Sequence, residues 1–499
     1  MSNTYEAFRR RAAEITHLRS ILQLLSWDQE TMMAELGATH RASQVSTLAV
    51  IHHQRLVDPA YGDLISRLES RLGELDPWGQ ASVREARRQY DKATKVPESL
   101  VRELAETTAL AYEAWVKARS ESDFPAFAPW LKKILKLRRN EAECLKRPDQ
   151  TLYEALLDEY EPGMTEATLD SLFSGIQPEL TSLVDRITSS GRQPRPLPPG
   201  PFPAAAQETL GREILTAMGF DWKAGRLDTS PHPFCTGLSP RDVRITTRYS
   251  TTEIIKALFG MIHECGHGLY EQGLDASAYG LPACEAISLG LHESQSRLWE
   301  NQIGRSRSFW EYWFPRLRRA FSPRFDDFSL DDFVFSVNTV RPSPIRTEAD
   351  EVTYGLHVIL RYQLEKALIN EEVDVSELDQ VWNDRMWQYL RYVPANSAEG
   401  VLQDTHWSQG LFGYFPTYLL GNLYAAQIFD QAKQSISGLD QAISAGNLLS
   451  LREWLREQIH VHGKTLTADE VIEAVTGRQL SADPFLDYLD TKFGDLYGI

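Results

Sequence analysis

Apolar residues recur at intervals of three and four along most of this chain, with charged residues between them. That spacing predicts amphipathic α-helices over 5–35 and 80–160, and again from Thr252 almost to the C-terminus. Loops are expected to interrupt this last region near 275–282, 322–350 and 393–408. The pattern therefore predicts a mainly α protein.

Proline and glycine punctuate the first part of this helical pattern. Helix breaks are expected in KVPES (95–99), SDFPAFAPW (122–130) and EPGMT (161–165), and Thr165 can cap the helix that follows. The segment SGRQPRPLPPGPFP (190–203) is the strongest linker signal, because its prolines favour extended backbone and preclude a regular helix.

We expect the proline-rich segment to connect two lobes of one domain rather than two independent domains. The first lobe spans about 1–190, the second about 204–499, and the single domain is the whole of 1–499. The candidate site residues all follow the connection, whereas the helices before it need another surface on which to pack.

Two stretches depart from the amphipathic pattern. Residues 242–250, DVRITTRYS, alternate β-branched and polar side chains with the period of two that is typical of a strand. Residues 405–429 contain no Asp, Glu, Lys or Arg and are long enough to cross a bilayer. The polar Gln409, Asn422 and Gln427 favour a buried helix near a polar site instead.

The composition excludes several classes of partner and indicates a compartment. The chain has 499 residues with a formal net charge of −17, which argues against binding to nucleic acid or anionic membranes. The N-terminal residues include arginines but no apolar core, so we expect no secretory signal. The four cysteines are far apart and lack CxxC spacing, which favours free thiols in the cytoplasm.

The stretch MIHECGHGLYEQG (261–273) carries the clearest chemistry in the sequence. On an α-helix, His263 and His267 lie one turn apart on one face and can direct both rings at one ion. Zinc suits imidazole nitrogen, and Glu264 is then free to take a proton from a water, as in HExxH metallopeptidases. The motif predicts a metal site with Glu264 as general base.

A catalytic zinc usually takes three protein ligands, so a third must come from another part of the chain. Glu271 is separated from His263 by about 12 Å of helical rise, which is too far for both to bind one ion. The next helical segment, CEAISLGLHESQSRLWE, offers three carboxylates: Glu285, Glu293 and Glu300. Spacing alone does not choose among them.

Six motifs follow one another along the chain. They are HPF (232–234), DVRITT (242–247), HECGH (263–267), HESQ (292–295), IRTEAD (345–350) and GVLQDTHW (400–407). Together they make the chain resemble the carboxypeptidase Taq family of zinc metallocarboxypeptidases, over nearly its whole length. This resemblance implies a large helical metallopeptidase fold with a groove, a small β-sheet near the active site, and a homodimer.

The resemblance also implies roles for individual residues. The glutamate ligand of the family is the one in its HESQ motif, which is Glu293 here, and Glu264 matches the general base of the family. One Zn²⁺ per chain is the expected cofactor, and two histidines with a glutamate also accommodate Co²⁺.

Hydrolysis of a peptide also requires hydrogen-bond donors for the developing oxyanion. Tyr414 and Tyr418 lie four residues apart in GYFPTY, and similar tyrosines serve this role in related helical metallopeptidases, which favours Tyr414. His406 in QDTHW is a second candidate, with Gln403 and Asp404 positioning it or the substrate.

Release of a single C-terminal residue calls for a cation that holds the free carboxylate. Arg346 and Arg244 are the candidates within the matched motifs, because a guanidinium binds carboxylate through two hydrogen bonds and stays charged. His232 in the HPF turn is expected to help form the pocket.

The leading interpretation is a zinc-dependent carboxypeptidase of broad specificity that acts on short peptides. An endo- or oligopeptidase with the same metal chemistry is one alternative. A noncatalytic helical scaffold that retains a metal is the other.

Overall fold

The computed structural model describes residues 2–499, which form twenty α-helices and three short strands. In chain order the helices are α1 (Ser2–Thr31), α2 (Ala38–Leu56), α3 (Pro59–Glu69), α4 (Pro77–Lys95), α5 (Glu98–Glu121), α6 (Phe124–Leu145), α7 (Leu152–Leu157), α8 (Glu166–Ser189), α9 (Ala204–Met218), α10 (Ile254–Gly273), α11 (Leu289–Arg297), α12 (Arg307–Ala320), α13 (Leu330–Val337), α14 (Thr353–Ile369), α15 (Leu378–Leu390), α16 (Pro416–Ser435), α17 (Leu439–Ser444), α18 (Leu449–Gln458), α19 (Ala468–Thr476) and α20 (Asp483–Tyr497). The prediction of a mainly α protein is confirmed.

The helix boundaries follow the proline signals closely, with two exceptions. Breaks fall between α4 and α5 and between α5 and α6, and the Thr165 hydroxyl caps α8 by accepting from the amide of Thr168. The expected break over 122–130 is shorter than predicted, because Pro125 lies in the first turn of α6 and the helix continues through Pro129. The expected loop over 322–350 is also wrong in part, since α13 lies within it.

The strands β1 (Gly225–Thr229), β2 (Cys235–Ser239) and β3 (Asp242–Thr247) form one small sheet in the order β1-β3-β2. β3 is the strand that the alternating pattern predicts. It pairs in parallel with β1 and antiparallel with β2, so that Arg244 lies opposite Arg226 on one side and Thr236 on the other. β1 and β2 are too short to show a clear alternation.

Two hydrophobic cores hold the helices together. The larger core extends from Ala111 to Tyr497, and it continues across the proline-rich connection through the buried Phe202. A smaller core joins α1, α3 and α4 around Phe8 and Ile65. Helix α10 packs on β3, α9 and α11, and α11 packs in turn on α16, so these elements surround one central region.

None of the helices within residues 2–499 combines the length and the apolar character that a membrane span requires. The uncharged stretch 405–429 instead contributes its second half to α16, whose residues from Pro416 to Phe429 are largely buried in the main core.

Candidate active site

The three predicted metal ligands meet at one point between α10 and α11. Glu293 Oε2 lies 3.3 Å from His267 Nε2 and 3.6 Å from His263 Nε2. One ligand atom from each of these residues lies within 4.8 Å of the others. Two histidines one helical turn apart thus share a carboxylate from the next helix.

The spacing of these atoms fits a tetrahedral ion. Zinc bonds to imidazole nitrogen or carboxylate oxygen of about 2.0–2.1 Å place tetrahedral ligands about 3.3 Å apart. The observed nitrogen to oxygen distances of 3.3 and 3.6 Å are close to that value. Two imidazoles and one carboxylate also leave a fourth position open, as catalytic metal sites do.

Close contact between helices brings Glu293 to the two histidines. At Gly266, inside the HECGH motif, a Cβ would lie 2.6 Å from Ser296 Cα, so the backbones of α10 and α11 touch. At Gly421 on α16, a Cβ would lie 2.6 Å from Glu293 Cγ. Glycine at both positions therefore makes room for the carboxylate ligand.

Behind the ligands lies a layer of charged side chains from α11 and from the π-helical turn Leu298–Ile303 that continues it. Glu300 Oε2 lies 2.9 Å from His263 Nδ1 and orients that ring, as an outer carboxylate does in many metal sites. Arg297 donates to Glu293 Oε1 at 2.8 Å, and Arg305 donates to Glu300 Oε1 at 3.2 Å. Glu300 thus contacts the predicted ligand His263 and lies outside the group of three atoms that could hold an ion.

The other two acidic candidates lie away from the ligand position. Glu285 pairs with Arg19 and with Lys464 Nζ, the latter at 2.9 Å. Glu271 Oε1 lies 3.0 Å from His292 Nε2, and the His292 ring stacks on His267 with centroids 4.4 Å apart. Glu271 therefore contacts the site indirectly.

The electrostatic environment differs between the two histidines of the site. Burial raises the pKa of Glu264 to about 7, and this side chain is nine-tenths buried next to the ligands. Burial alone would lower the pKa of His263, but Glu293 and Glu300 outweigh it and raise that pKa to about 9. The carboxylates around His263 therefore stabilise positive charge there, whereas burial and the neighbouring His292 lower the pKa of His267 to about 3 and keep that ring neutral.

Three predicted polar side chains form a cluster beside the ligands. The rings of His406 and Tyr414 lie 5.3 Å apart, and those of Tyr414 and Tyr418 lie 5.4 Å apart. His406 Nε2 is 3.4 Å from the Tyr418 hydroxyl. Burial and then the charge of Glu293 raise the pKa of Tyr414, which keeps the phenol protonated and able to donate.

Arg346 borders this cluster through Tyr418 and Tyr354. Its guanidinium carbon lies 5.0 Å from the centre of the Tyr418 ring, and its Nη1 donates to the Tyr354 hydroxyl at 3.2 Å. Its Nε and Nη2 donate to Asp404 Oδ1 at 3.0 and 2.9 Å. Gln403 accepts from the Arg346 amide at 2.8 Å, so Gln403 and Asp404 hold Arg346 in place.

Asp404 has a second partner from α14. Arg361, which is fully buried, donates from Nε to Asp404 Oδ2 at 2.6 Å. Burial alone would raise the pKa of the Asp404 carboxyl, but Arg361 and Arg346 outweigh burial and lower it below its usual range. Two guanidinium groups thus share one bonded carboxylate.

The two remaining predicted residues lie on the sheet and its turn. The Arg244 guanidinium donates to Asp242 and lies 4.2 Å from the ring centre of Trp27 on α1. His232 is exposed between β1 and β2, and its carbonyl accepts from the Ser230 hydroxyl. The contacts of Arg244 and His232 are therefore with the N-terminal helix and the sheet.

A cavity of about 360 Å³ reaches His292, the residue before the predicted ligand Glu293. It lies between α1, β2 and the start of α11, and its wall includes Gly237, Glu271 and His292. The edge strand β2 thus flanks an open space that leads to the HExxH helix.

A helix with two metal-binding histidines and an adjacent glutamate, completed by a carboxylate from the following helix, defines a metallopeptidase. The family model for carboxypeptidase Taq (M32) metallopeptidases matches residues 7–493. The chain belongs to this family and is a metallocarboxypeptidase, a class of peptide hydrolase.

Individual relatives are similar over the whole chain. Thermostable carboxypeptidase 1 of Thermus thermophilus is 44% identical, with 97% of each chain covered. Carboxypeptidase 1 of Bacillus subtilis is 37% identical, with 97% of this chain and 96% of the relative covered. The crystal structure of an M32 carboxypeptidase from Deinococcus radiodurans R1 has a TM-score of 0.96 at 37% identity, covering 100% of both chains.

Four residues of the site were not identified from sequence. Arg297 and His292 flank the predicted ligand Glu293 on α11, while Arg361 and Glu365 are fully buried on α14. Arg361 and Glu365 lie in the largely apolar stretch VILRYQLEKALI. Charged residues in such a stretch are rarely buried without a partner, and this was the sequence signal that could have identified them.

Proposed function

We propose that the protein is a zinc-dependent carboxypeptidase that removes C-terminal residues from short peptides with broad side-chain specificity. The observation that carries this proposal is that the tyrosines connect the metal constellation of His263, His267 and Glu293 to Arg346. Arg297, which donates to Glu293, lies 4.5 Å from the centre of the Tyr354 ring, and Arg346 donates to the Tyr354 hydroxyl at 3.2 Å. A peptide bond at the constellation would have its terminal carboxylate within reach of Arg346.

His263, His267 and Glu293 would hold the ion, and the donor set fits Zn²⁺, with Co²⁺ as an alternative. When bound, such an ion polarises the scissile carbonyl and lowers the pKa of a water towards 7. Glu300 fixes the orientation of the His263 ring through the Nδ1 contact of 2.9 Å.

Glu264 would act as the general base. Its carboxylate lies on the same helix as both histidines, and burial raises its pKa to about 7, close to the pH at which a base accepts and returns protons efficiently. It would accept a proton from the attacking water and transfer that proton to the leaving amine nitrogen.

Tyr414 and His406 would donate hydrogen bonds to the oxyanion. The two rings are 5.3 Å apart beside the metal ligands, and the Tyr418 hydroxyl lies 3.4 Å from His406 Nε2. Donors that are already fixed before the reaction stabilise developing charge without reorganisation.

Arg346 would bind the terminal carboxylate. Arg346 and Arg361 carry two positive charges, and the carboxylate that they share, Asp404, carries one negative charge. The three side chains together therefore keep one positive charge. A substrate carboxylate would balance that charge. Gln403 and Asp404 support the arginine, and Arg244 and His232 are proposed to line the approach along the sheet.

We further propose one catalytic domain over 1–499, a homodimer and a cytoplasmic location. The continuity of the main core across 190–203 supports the single domain. Free thiols at Cys144, Cys235, Cys265 and Cys284 are compatible with a reducing compartment. Light scattering of the purified protein would test the dimer, with a monomeric mass as the contrary result.

Mass spectrometry of a defined peptide mixture tests the proposed activity directly. Ladders of C-terminal truncation should form, disappear after chelation and return with added zinc. Peptides with amidated C-termini should remain largely intact. Internal cleavage of free and amidated peptides at equal rates would favour the oligopeptidase, and absence of any cleavage by the metal-loaded protein would favour the scaffold.

A further inference from the structure

A buried carboxylate on α14 is bonded to the segment that carries His406 and Tyr414. Glu365 has 0% exposure and accepts three hydrogen bonds of 3.0 Å each. The donors are Trp407 Nε1 to Oε1, and the Gly413 amide and the Tyr153 hydroxyl to Oε2. Glu365 lies outside all six sequence motifs.

Two of these donors are the immediate neighbours of the proposed oxyanion donors. Trp407 follows His406 in the chain, and Gly413 precedes Tyr414. The Glu365 carboxylate therefore bridges both ends of the segment between those two residues. The stacked rings of Trp407 and Phe412, with an interplanar angle of 2°, pack the interior of the same segment.

We propose that Glu365 is a positioning residue that sets the relative placement of His406 and Tyr414 for transition-state stabilisation. This inference rests on the proposed function, because it takes both residues to be oxyanion donors. Glu365 acts through its contacts to Trp407 and Gly413 and does not touch the substrate.

The identity of this side chain is not explained by folding stability alone. Burial of a carboxylate is unfavourable and raises the pKa of Glu365, whereas the hydrogen bonds from Trp407, Gly413 and Tyr153 lower that pKa and favour the ionised form. A carboxylate nevertheless has two acceptor oxygens, and both are used here. Oε1 accepts from Trp407, and Oε2 accepts from Gly413 and Tyr153. The metal ligands on α10 and α11, and Arg346 with Asp404, are held by other contacts.

Glu365→Gln tests the role of this carboxylate. The glutamine amide presents an N–H group to at least one of the three donors, so the segment should shift. Because small misplacements of reacting groups cost up to about 100-fold in rate, we expect kcat to fall about 10- to 100-fold. The KM for a free-acid peptide should stay within about twofold, and the metal content should remain that of the parent.

A double-mutant cycle with Tyr414→Phe distinguishes positioning from general destabilisation. If Glu365 acts through Tyr414, the combined variant should lose much less than the product of the two single losses. Multiplicative losses would overturn the proposal. If Glu365→Gln does not fold, Trp407→Phe removes the indole donor together with part of the buried ring, and it enters the same cycle with the same two outcomes.

Glu351→Gln is the matched control, because it alters a buried carboxylate whose partner is Lys492, at 2.6 Å. This variant should keep the parental kcat, and an equal loss in it would overturn the proposal. Parental kcat values in both Tyr414→Phe and His406→Gln would refute the donor assignment itself. That outcome would overturn the proposed function of these residues together with the role of Glu365.

Discussion

Substitution of Arg346 tests why the enzyme acts at a free C-terminus. Arg346 is 5% exposed, and Asp404 keeps its bond to Arg361 when Arg346 is removed. Arg346→Ala therefore leaves no buried carboxylate unpaired, and the fold around the tyrosine cluster should be retained. The main loss should fall on substrate recognition.

The structure limits the size of this loss. Three of the five N–H groups of Arg346 already bond to Asp404 and Tyr354, so two remain, and a substrate carboxylate would gain at least one further charge-assisted hydrogen bond. Such a bond contributes about 2–3 kcal/mol when its partner is desolvated. The expected decrease in kcat/KM for free-acid peptides is therefore about 30- to 150-fold.

The assay compares each peptide with its C-terminal amide. Arg346→Ala should lower the ratio of acid to amide kcat/KM, because the amide does not present the charge that the guanidinium binds. Arg346→Lys should recover only part of the loss, since an ammonium lacks the planar pair of donors. Circular dichroism and metal content should match the parent.

Arg244→Ala provides the comparison, because Arg244 lies against Trp27 and bonds to Asp242. We expect Arg244→Ala to change acid and amide hydrolysis by similar factors. If Arg244→Ala alone lowers the acid to amide ratio, Arg244 binds the terminus. If neither variant changes that ratio, the reasoning from the arginine pair is refuted and internal cleavage becomes the better hypothesis.

Further variants test the metal centre. Glu264→Gln should abolish turnover while metal analysis still finds about one ion per chain; loss of the ion would mean that Glu264 is a ligand. Glu293→Ala should lose metal affinity and activity together, whereas Glu271→Ala should retain the ion, as equilibrium dialysis would show. Glu300→Gln removes the carboxylate that lies 2.9 Å from His263 Nδ1, and it should weaken metal binding about 10- to 100-fold. An unchanged metal affinity would show that Glu300 does not orient His263. The kcat/KM should fall at acid pH as Glu264 takes up a proton. Burial raises the pKa of Glu264 to about 7 and a cation lowers it, so an acid limb above pH 7 would contradict its role as base.

Local sequence determined the features that depend on one element. The i and i+4 spacing of His263 and His267 places both rings on one face of α10, and alternation of side chains predicts β3. Proline and Thr165 marked helix ends, because their effects act through the neighbouring backbone.

The choice of third ligand needed information beyond spacing. Glu285, Glu293 and Glu300 all belong to the segment after α10, and the family resemblance pointed to Glu293. In the structure α10 and α11 touch at Gly266, the Glu293 carboxylate lies near both histidines, and Glu300 contacts His263 at Nδ1.

Only the tertiary structure related α14 to the segment around His406. The residue numbers of Arg361 and its partner Asp404 differ by 43, and those of Glu365 and its partner Trp407 differ by 42. Periodicity identifies the buried faces of helices, but it carries no information on which distant side chains meet there. That decision depends on how the helices pack, because a buried charged group is stable only where packing supplies its partner.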